Sequence, residues 1–124
     1  MNDMVTLATE YRVETDLIGS LKVPANALYG IQTQRAIELY PVNGEKRLSD
    51  YPQLIKGMLR VKKIAAQVNL NIGELEPQLA QAIIRVINQL LLNLPLEHFP
   101  IHACHGGGGI STNMNINEVI ANRA

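Results

Sequence analysis

Apolar and polar positions alternate from Tyr11 to Pro24 in two short pieces, with Gly19-Ser20 between them. That pattern predicts a small β-hairpin or extended arm. Pro24 ends it, since proline cannot donate to a strand ladder. Two strands alone are marginal in water, so the hairpin must lean on something else. The period then changes. Thr33 to Tyr40 reads as a short helix with Thr33 as a candidate N-cap, stopped by Pro41 and Gly44. Between Pro52 and Ile72, the residues Leu54, Met58, Val61, Ala65, Val68 and Ile72 recur at spacings of 4, 3, 4, 3 and 4. This is one apolar stripe on a helix, with Asp50 as its candidate cap and Gly73 as its C′ residue. Lys56, Arg60, Lys62 and Lys63 fall mostly on the other faces and read as a solvated surface.

Residues 76–94 form the next predicted helix, with Pro77 in its first turn. Leu79, Ile83, Val86, Leu90 and Leu94 mark its stripe, and Ala82, Ile84, Ile87, Leu91 and Leu92 widen it. An arc that broad exceeds what one antiparallel neighbour covers, so burial against a partner chain or further sequence is expected. The fold class is therefore mainly α with a short N-terminal β-hairpin or arm. Residues 1–10 read as a flexible N-terminus and 11–124 as one helical domain. The few aromatics, 4% of the chain, agree with a helical core of aliphatics.

Charge narrows the function classes. Lys+Arg and Asp+Glu are both 11, so the formal net charge is +0. Phosphate neutralisation needs a basic excess, which argues against nucleic-acid binding. The same balance argues against a polybasic membrane module, and no apolar run approaches the roughly 20 residues needed to span a bilayer. The N-terminus has no apolar run of the signal-peptide kind. The single cysteine, Cys104, allows no internal disulfide, and a reducing, cytoplasmic compartment is expected.

The tail carries the candidate chemistry. Gly106 to Gly109 run into Ile110-Ser-Thr-Asn113, and a helix begins there. Backbone N–H groups at a glycine run, with the positive end of a helix dipole, make an anion site. Ser111, Thr112, Asn113 and Asn115 add neutral donors, which suit a carboxylate better than a triphosphate. The plainer alternative is a turn whose hydroxyl caps the helix: Ser111, Thr112 or Asn113 as the cap, with Asn115 and Glu118 at capping-box spacing. No Lys follows Gly109, so the phosphate-loop motif fails. The dinucleotide fingerprint fails too, for want of a preceding strand and a downstream acid. His102-Ala-Cys104-His105 has metal-ligand spacing but lacks a fourth ligand, and Cys104 has no evident orienting acid. Neither metal nor cofactor is expected. The chain stops soon after this helix starts, which reads as a piece of a longer protein.

The tail resembles the first signature region of the aspartase/fumarase superfamily, a Gly-rich loop followed by Ser/Thr-x-Asn-Met-Asn-x-Asn-Glu-Val-x-x-Asn. Ser111-Thr-Asn-Met-Asn-Ile-Asn-Glu-Val-Ile-Ala-Asn122 matches it without a gap. Tyr11-Arg-Val-Glu-Thr-Asp16, Val23-Pro-Ala25, Leu28-Tyr-Gly-Ile-Gln-Thr-Gln-Arg-Ala36 and Lys62-Lys-Ile-Ala-Ala66 are similar to the family's N-terminal domain in order and spacing. Tyr29 to Thr33, Arg35-Ala-Ile37 and Phe99-Pro100 look closest to aspartate ammonia-lyase. The Gln32-Thr-Gln-Arg35 run is fumarase-like, and a class II fumarate hydratase-type domain is the alternative.

The resemblance implies an anti-elimination of L-aspartate to fumarate and ammonia, in which extra charge grows on a substrate carboxylate. Hydrogen-bond donors aimed at that carboxylate lower the barrier. The substrate-binding groups it implies here are Gly108, Gly109, Ile110, Ser111 and Asn113. The family's catalytic Ser and Lys lie in later regions, so no catalytic residue is expected within these 124 residues, and the chain alone should lack lyase activity. The resemblance also implies a homotetramer around a central helical bundle. Two positions depart from the pattern: His105 stands where the family usually has Gln, and Ile110 where it has a Thr whose hydroxyl touches a substrate carboxylate. Loss of one such donor typically costs about 3 kcal/mol of transition-state stabilisation. A weakened enzyme, another substrate, or a non-catalytic oligomerisation or regulatory paralogue follows from that departure.

Overall fold

The computed structural model describes residues 10–105 and 109–124. Two antiparallel strands, β1 (Tyr11–Thr15) and β2 (Ser20–Pro24), pair in the register Tyr11↔Pro24 to Thr15↔Ser20. The turn between them uses Gly19 at φ 151, and Asp16 Oδ1 accepts the N–H groups of Ile18 and Gly19. What the hairpin leans on is the chain that follows it. The Arg12 guanidinium donates to the carbonyls of Pro24, Ala25, Ala27 and Tyr29, stitching the 24–29 segment beneath β1. Glu10, just before β1, accepts the Ala25 N–H at 2.8 Å.

Four α-helices follow among the described residues: α1 (Ile31–Leu39), α2 (Pro52–Asn71), α3 (Pro77–Leu92) and α4 (Ser111–Arg123). They enclose one core of Ala36, Leu48, Ile55, Leu59, Val86, Ile87, Leu90, Phe99, Ile101, Ile116, Val119 and Ile120. Pro at N1 opens both α2 and α3, and Gly73 at φ 80 closes α2, as a left-handed C′ residue should.

Several local expectations change. Helix α1 begins at Ile31 with Gly30 as N-cap, so Thr33 lies inside its first turn and is buried. Asp50 does not cap α2: its carboxylate accepts the Arg47 N–H across a 3₁₀ turn, and Tyr51 is the N-cap of α2. Helix α3 ends at Leu92, before Pro95.

The largest difference is on α2. Its core face is Ile55, Leu59 and Ala66, while Leu54, Val61, Val68 and Ile72 of the predicted stripe are each at least half exposed. The two stripes lie about 100° apart on the same helix, the angle of one residue step. Periodicity shows that a side is apolar but not which apolar side this chain itself covers. On α3 the stripe is nearer the mark. Val86 and Leu90 are buried, Ile83 and Leu94 pack against the core, and Leu79 is exposed.

A short strap precedes the glycine run in sequence. Leu48 N–H donates to Ile101 O, Ser49 N–H to Phe99 O and Ala103 N–H to Lys46 O, so residues 99–103 are tied against 46–49. Within this strap, the Phe99 and Ile101 side chains are fully buried.

Candidate functional site

Helix α4 has two ends with different duties. Its later polar residues are spent on the fold. Asn115 is buried and donates from Nδ2 to His98 O at 2.9 Å, and Asn122 Nδ2 donates to Leu28 O at 2.7 Å. Glu118 reaches the N-terminus of α1, where its carboxylate accepts the N–H groups of Gln32 and Thr33 and the Thr33 hydroxyl. Glu14 accepts the Ile31 N–H beside it at 3.1 Å. Two carboxylates thus satisfy the orphan donors of α1. The Asn115–Glu118 capping box is therefore not formed; both side chains turn to neighbouring segments.

The leading end of α4 is arranged otherwise. Its N-cap is Ile110, which is 68% exposed and supplies no side-chain cap hydrogen bond. None of Ser111, Thr112 and Asn113 is the cap; all three are inside the first turn. The first intrahelical bond runs from Met114 N–H to Ile110 O, so the amides of residues 111–113 precede it. Asn113 is exposed, and Ser111 and Thr112 are half-buried. Gly109 and Ile110 are exposed at the entry to the helix. Gly108, also expected at the site, lies with Gly106 and Gly107 outside the described residues, as do residues 1–9.

Two side chains missing from the sequence-based site flank this end. Lys62, expected on a solvated face, donates from Nζ to Asn113 Oδ1 at 2.5 Å. Burial lowers its pKa below the ordinary lysine value. The readable signal was its position seven residues after Ile55, on the true core stripe of α2. Lys62 thus brings a cation to the first turn of α4 instead of lying on a solvated face. On the other flank, Ser111 Oγ and His105 Nε2 lie 2.9 Å apart, and the His105 ring stacks on Tyr40 with centroids 3.7 Å apart. His105, Ser111, Gln32, Arg35 and Asp16 border a cleft of about 430 Å³ between α1 and the β1–β2 turn. Arg35 holds Asp16 with both terminal nitrogens, and this guanidinium keeps the Asp16 carboxyl below the usual carboxylate range.

The metal-like spacing at 102–105 is used differently. His102 Nδ1 accepts the Cys104 N–H at 3.0 Å and His105 turns to Ser111. Among the described residues no group of three His, Cys, Asp or Glu is placed to hold a metal ion. Nor is any helix there long and apolar enough to cross a membrane.

The comparisons with known proteins agree with this architecture. A family model described as lyase matches residues 19–124. The class II fumarate hydratase of Thermus aquaticus is 44% identical over 115 residues, covering 93% of this chain and 24% of that protein. The aspartate ammonia-lyase of Escherichia coli K12 is 41% identical over 117 residues, again covering 24% of the relative. The chain thus spans about a quarter of the length of these curated relatives. A crystal structure of a fumarate lyase:delta crystallin from Brucella melitensis superposes with a TM-score of 0.85 at 37% identity, over 92% of this chain and 26% of that one. With a hairpin and four helices in the same arrangement and a signature helix whose open end carries polar donors, the chain belongs to the lyase family that includes the aspartate ammonia-lyases and class II fumarate hydratases.

Proposed function

We propose that this chain is the N-terminal domain of an aspartate ammonia-lyase-like enzyme and supplies groups that bind a substrate carboxylate. The observation that carries the reading is the uncapped start of α4, where Ile110 offers no side-chain cap and the amides of 111–113 precede the first helical bond. An anion at that position gains several N–H donors and the positive end of the dipole. Gly108, Gly109 and Ile110 would contribute backbone N–H groups, and Ser111 and Asn113 their side chains. In an elimination, a carboxylate takes on extra negative charge as the neighbouring carbon loses its proton, and donors fixed beforehand stabilise that charge without reorganising. The proton-abstracting groups belong to other segments of the proposed enzyme, assembled as a homotetramer, so this chain alone releases no ammonia from aspartate.

Hydration of fumarate is the second reading, supported by the Thermus relative and by the same chemical demand for a stabilised carboxylate. The Gln32-Thr33-Gln34-Arg35 run does not decide between the two. Thr33 is bound to Glu118 and Arg35 to Asp16, so both serve the fold.

Titration of the isotopically labelled chain with fumarate and with L-aspartate tests the carboxylate site. The expected result is amide shifts concentrated at residues 109–113 that saturate with ligand. Shifts absent from that segment, or confined to another part of the molecule, overturn the reading.

A further inference from the structure

The proposed carboxylate site leaves one side chain unexplained. His105 ends the strap from Phe99, and its ring is fixed from two directions. Tyr40, at the C-terminal end of α1, stacks on one face at 3.7 Å between centroids. Ser111, the first residue of α4, lies 2.9 Å from Nε2. An aromatic stack and a hydrogen bond together restrict an imidazole to a narrow set of orientations. In sequence His105 precedes the glycine run and Ser111 follows it, so the bond ties the strap to the first residue of α4.

A hydroxyl has one hydrogen to give, and an imidazole decides where it goes. When Nε2 is unprotonated, it takes the Ser111 hydrogen, which is then spent inside the protein. When the ring is doubly protonated, Nε2–H donates to Ser111 Oγ and the hydroxyl hydrogen turns elsewhere. We propose that His105 is a positioning residue for Ser111: its neutral ring withholds the Ser111 hydroxyl hydrogen from a bound carboxylate, and its protonated ring releases it.

The charged and polar neighbours of His105 are engaged with partners of their own. In the shared cleft, Asp16 and Arg35 are paired and offset each other. Tyr40 presents its ring face. On the strap, His102 is engaged with the Cys104 N–H. On the far flank, the Lys62 ammonium is directed to Asn113 rather than to Ser111. A carboxylate bound at the start of α4 gains the hydrogen that Ser111 is then free to give. By linkage, protonation of His105 and carboxylate binding strengthen each other by the same factor.

This inference rests on the carboxylate site proposed above, and its test separates the two. The full chain is titrated with fumarate at about pH 8 and about pH 5.5, on either side of the ordinary histidine range. The same titration is run on His105→Gln, which keeps a donor and an acceptor but cannot titrate. Wild-type affinity is expected to rise about threefold or more toward the lower pH, the effect of one released hydrogen bond. His105→Gln is expected to stay flat relative to it. Ring ¹⁵N shifts of His105, read without ligand, should show Nδ1–H and bare Nε2 at high pH. The Ser111 amide should follow the His105 midpoint, and saturating fumarate should move that midpoint upward. Equal pH dependence in wild type and His105→Gln overturns the proposal, as does a neutral ring carrying its proton on Nε2. Fumarate shifts absent at 109–113 at every pH overturn the carboxylate site instead, while the ligand-free ring signals still decide the coupling of His105 to Ser111. Amide spectra that superpose away from residues 105–111 establish that the variant is folded.

Discussion

Gly30 shows how one residue is fixed by its neighbours rather than by its own backbone. Its φ of −119 is open to any residue. A Cβ there would press into the carboxylates of Glu118 and Glu14, which are both held by the amides of α1. Gly30→Ala is therefore expected to cost about 1–3 kcal/mol through displacement of these two carboxylates, read as a lowered urea midpoint. Gly57, where a Cβ would meet open space, supplies the contrast: Gly57→Ala on α2 should be neutral or stabilising. His98 adds a pH term. Its Nδ1 accepts the Leu28 N–H at 3.1 Å, and burial holds its pKa below the ordinary value of 6.5. The fold thus favours the neutral ring. That contribution is complete above pH 6.5 and is lost as pH falls through the lower folded value. Chemical denaturation across this range should show stability falling with acid, and His98→Asn should fall less steeply.

At the scale of elements, periodicity located the helices well and their orientation less well. Leu54, Val61, Val68 and Ile72 form the more regular apolar stripe on α2, yet Ile55, Leu59 and Ala66 face the core. Lys62 shares the core-facing side, and its apolar stem can pack while the amine reaches Asn113. Hence a lysine that belongs to the candidate site was read as part of a solvated face. Leu59→Ala should destabilise the chain by about 2–5 kcal/mol, whereas Val68→Ala should stay within about 0.5 kcal/mol of wild type. Comparable losses for the two would mean that α2 turns Val68 as well as Leu59 toward the core. The start of α4 was legible from the Ser111–Asn122 motif. The roles within it were not, since Glu118 and Asn122 meet partners more than 80 residues away that no local pattern reveals.

Across the described residues, the four helices enclose one core, but an apolar face remains on its outside. Val61 is 66% exposed, Ile64 58% and Ile72 64%, and Leu79 and Leu92 of α3 are exposed as well. The broad arc read on residues 76–94 anticipated unburied apolar surface, although α2 carries much of it. Such a face favours association. Sedimentation of the chain should show concentration-dependent self-association, reduced by Val61→Glu together with Val68→Glu. A monomer at all concentrations would show that this face stays wet without a partner. These positions lie outside the core, so the double variant should retain its helical signal.

The separation of duties along α4 has a consequence for how such a protein diverges. Ser111 and Glu118 are seven residues apart, about 10 Å along the axis. The rear of the helix is bolted to α1 and to the 28–33 segment, so its direction is set without help from the front. Changes at the mouth, such as a histidine at 105 or an isoleucine at 110, can therefore accumulate while the rod beneath them keeps its aim. New selectivity can be explored there without risking collapse of the fold.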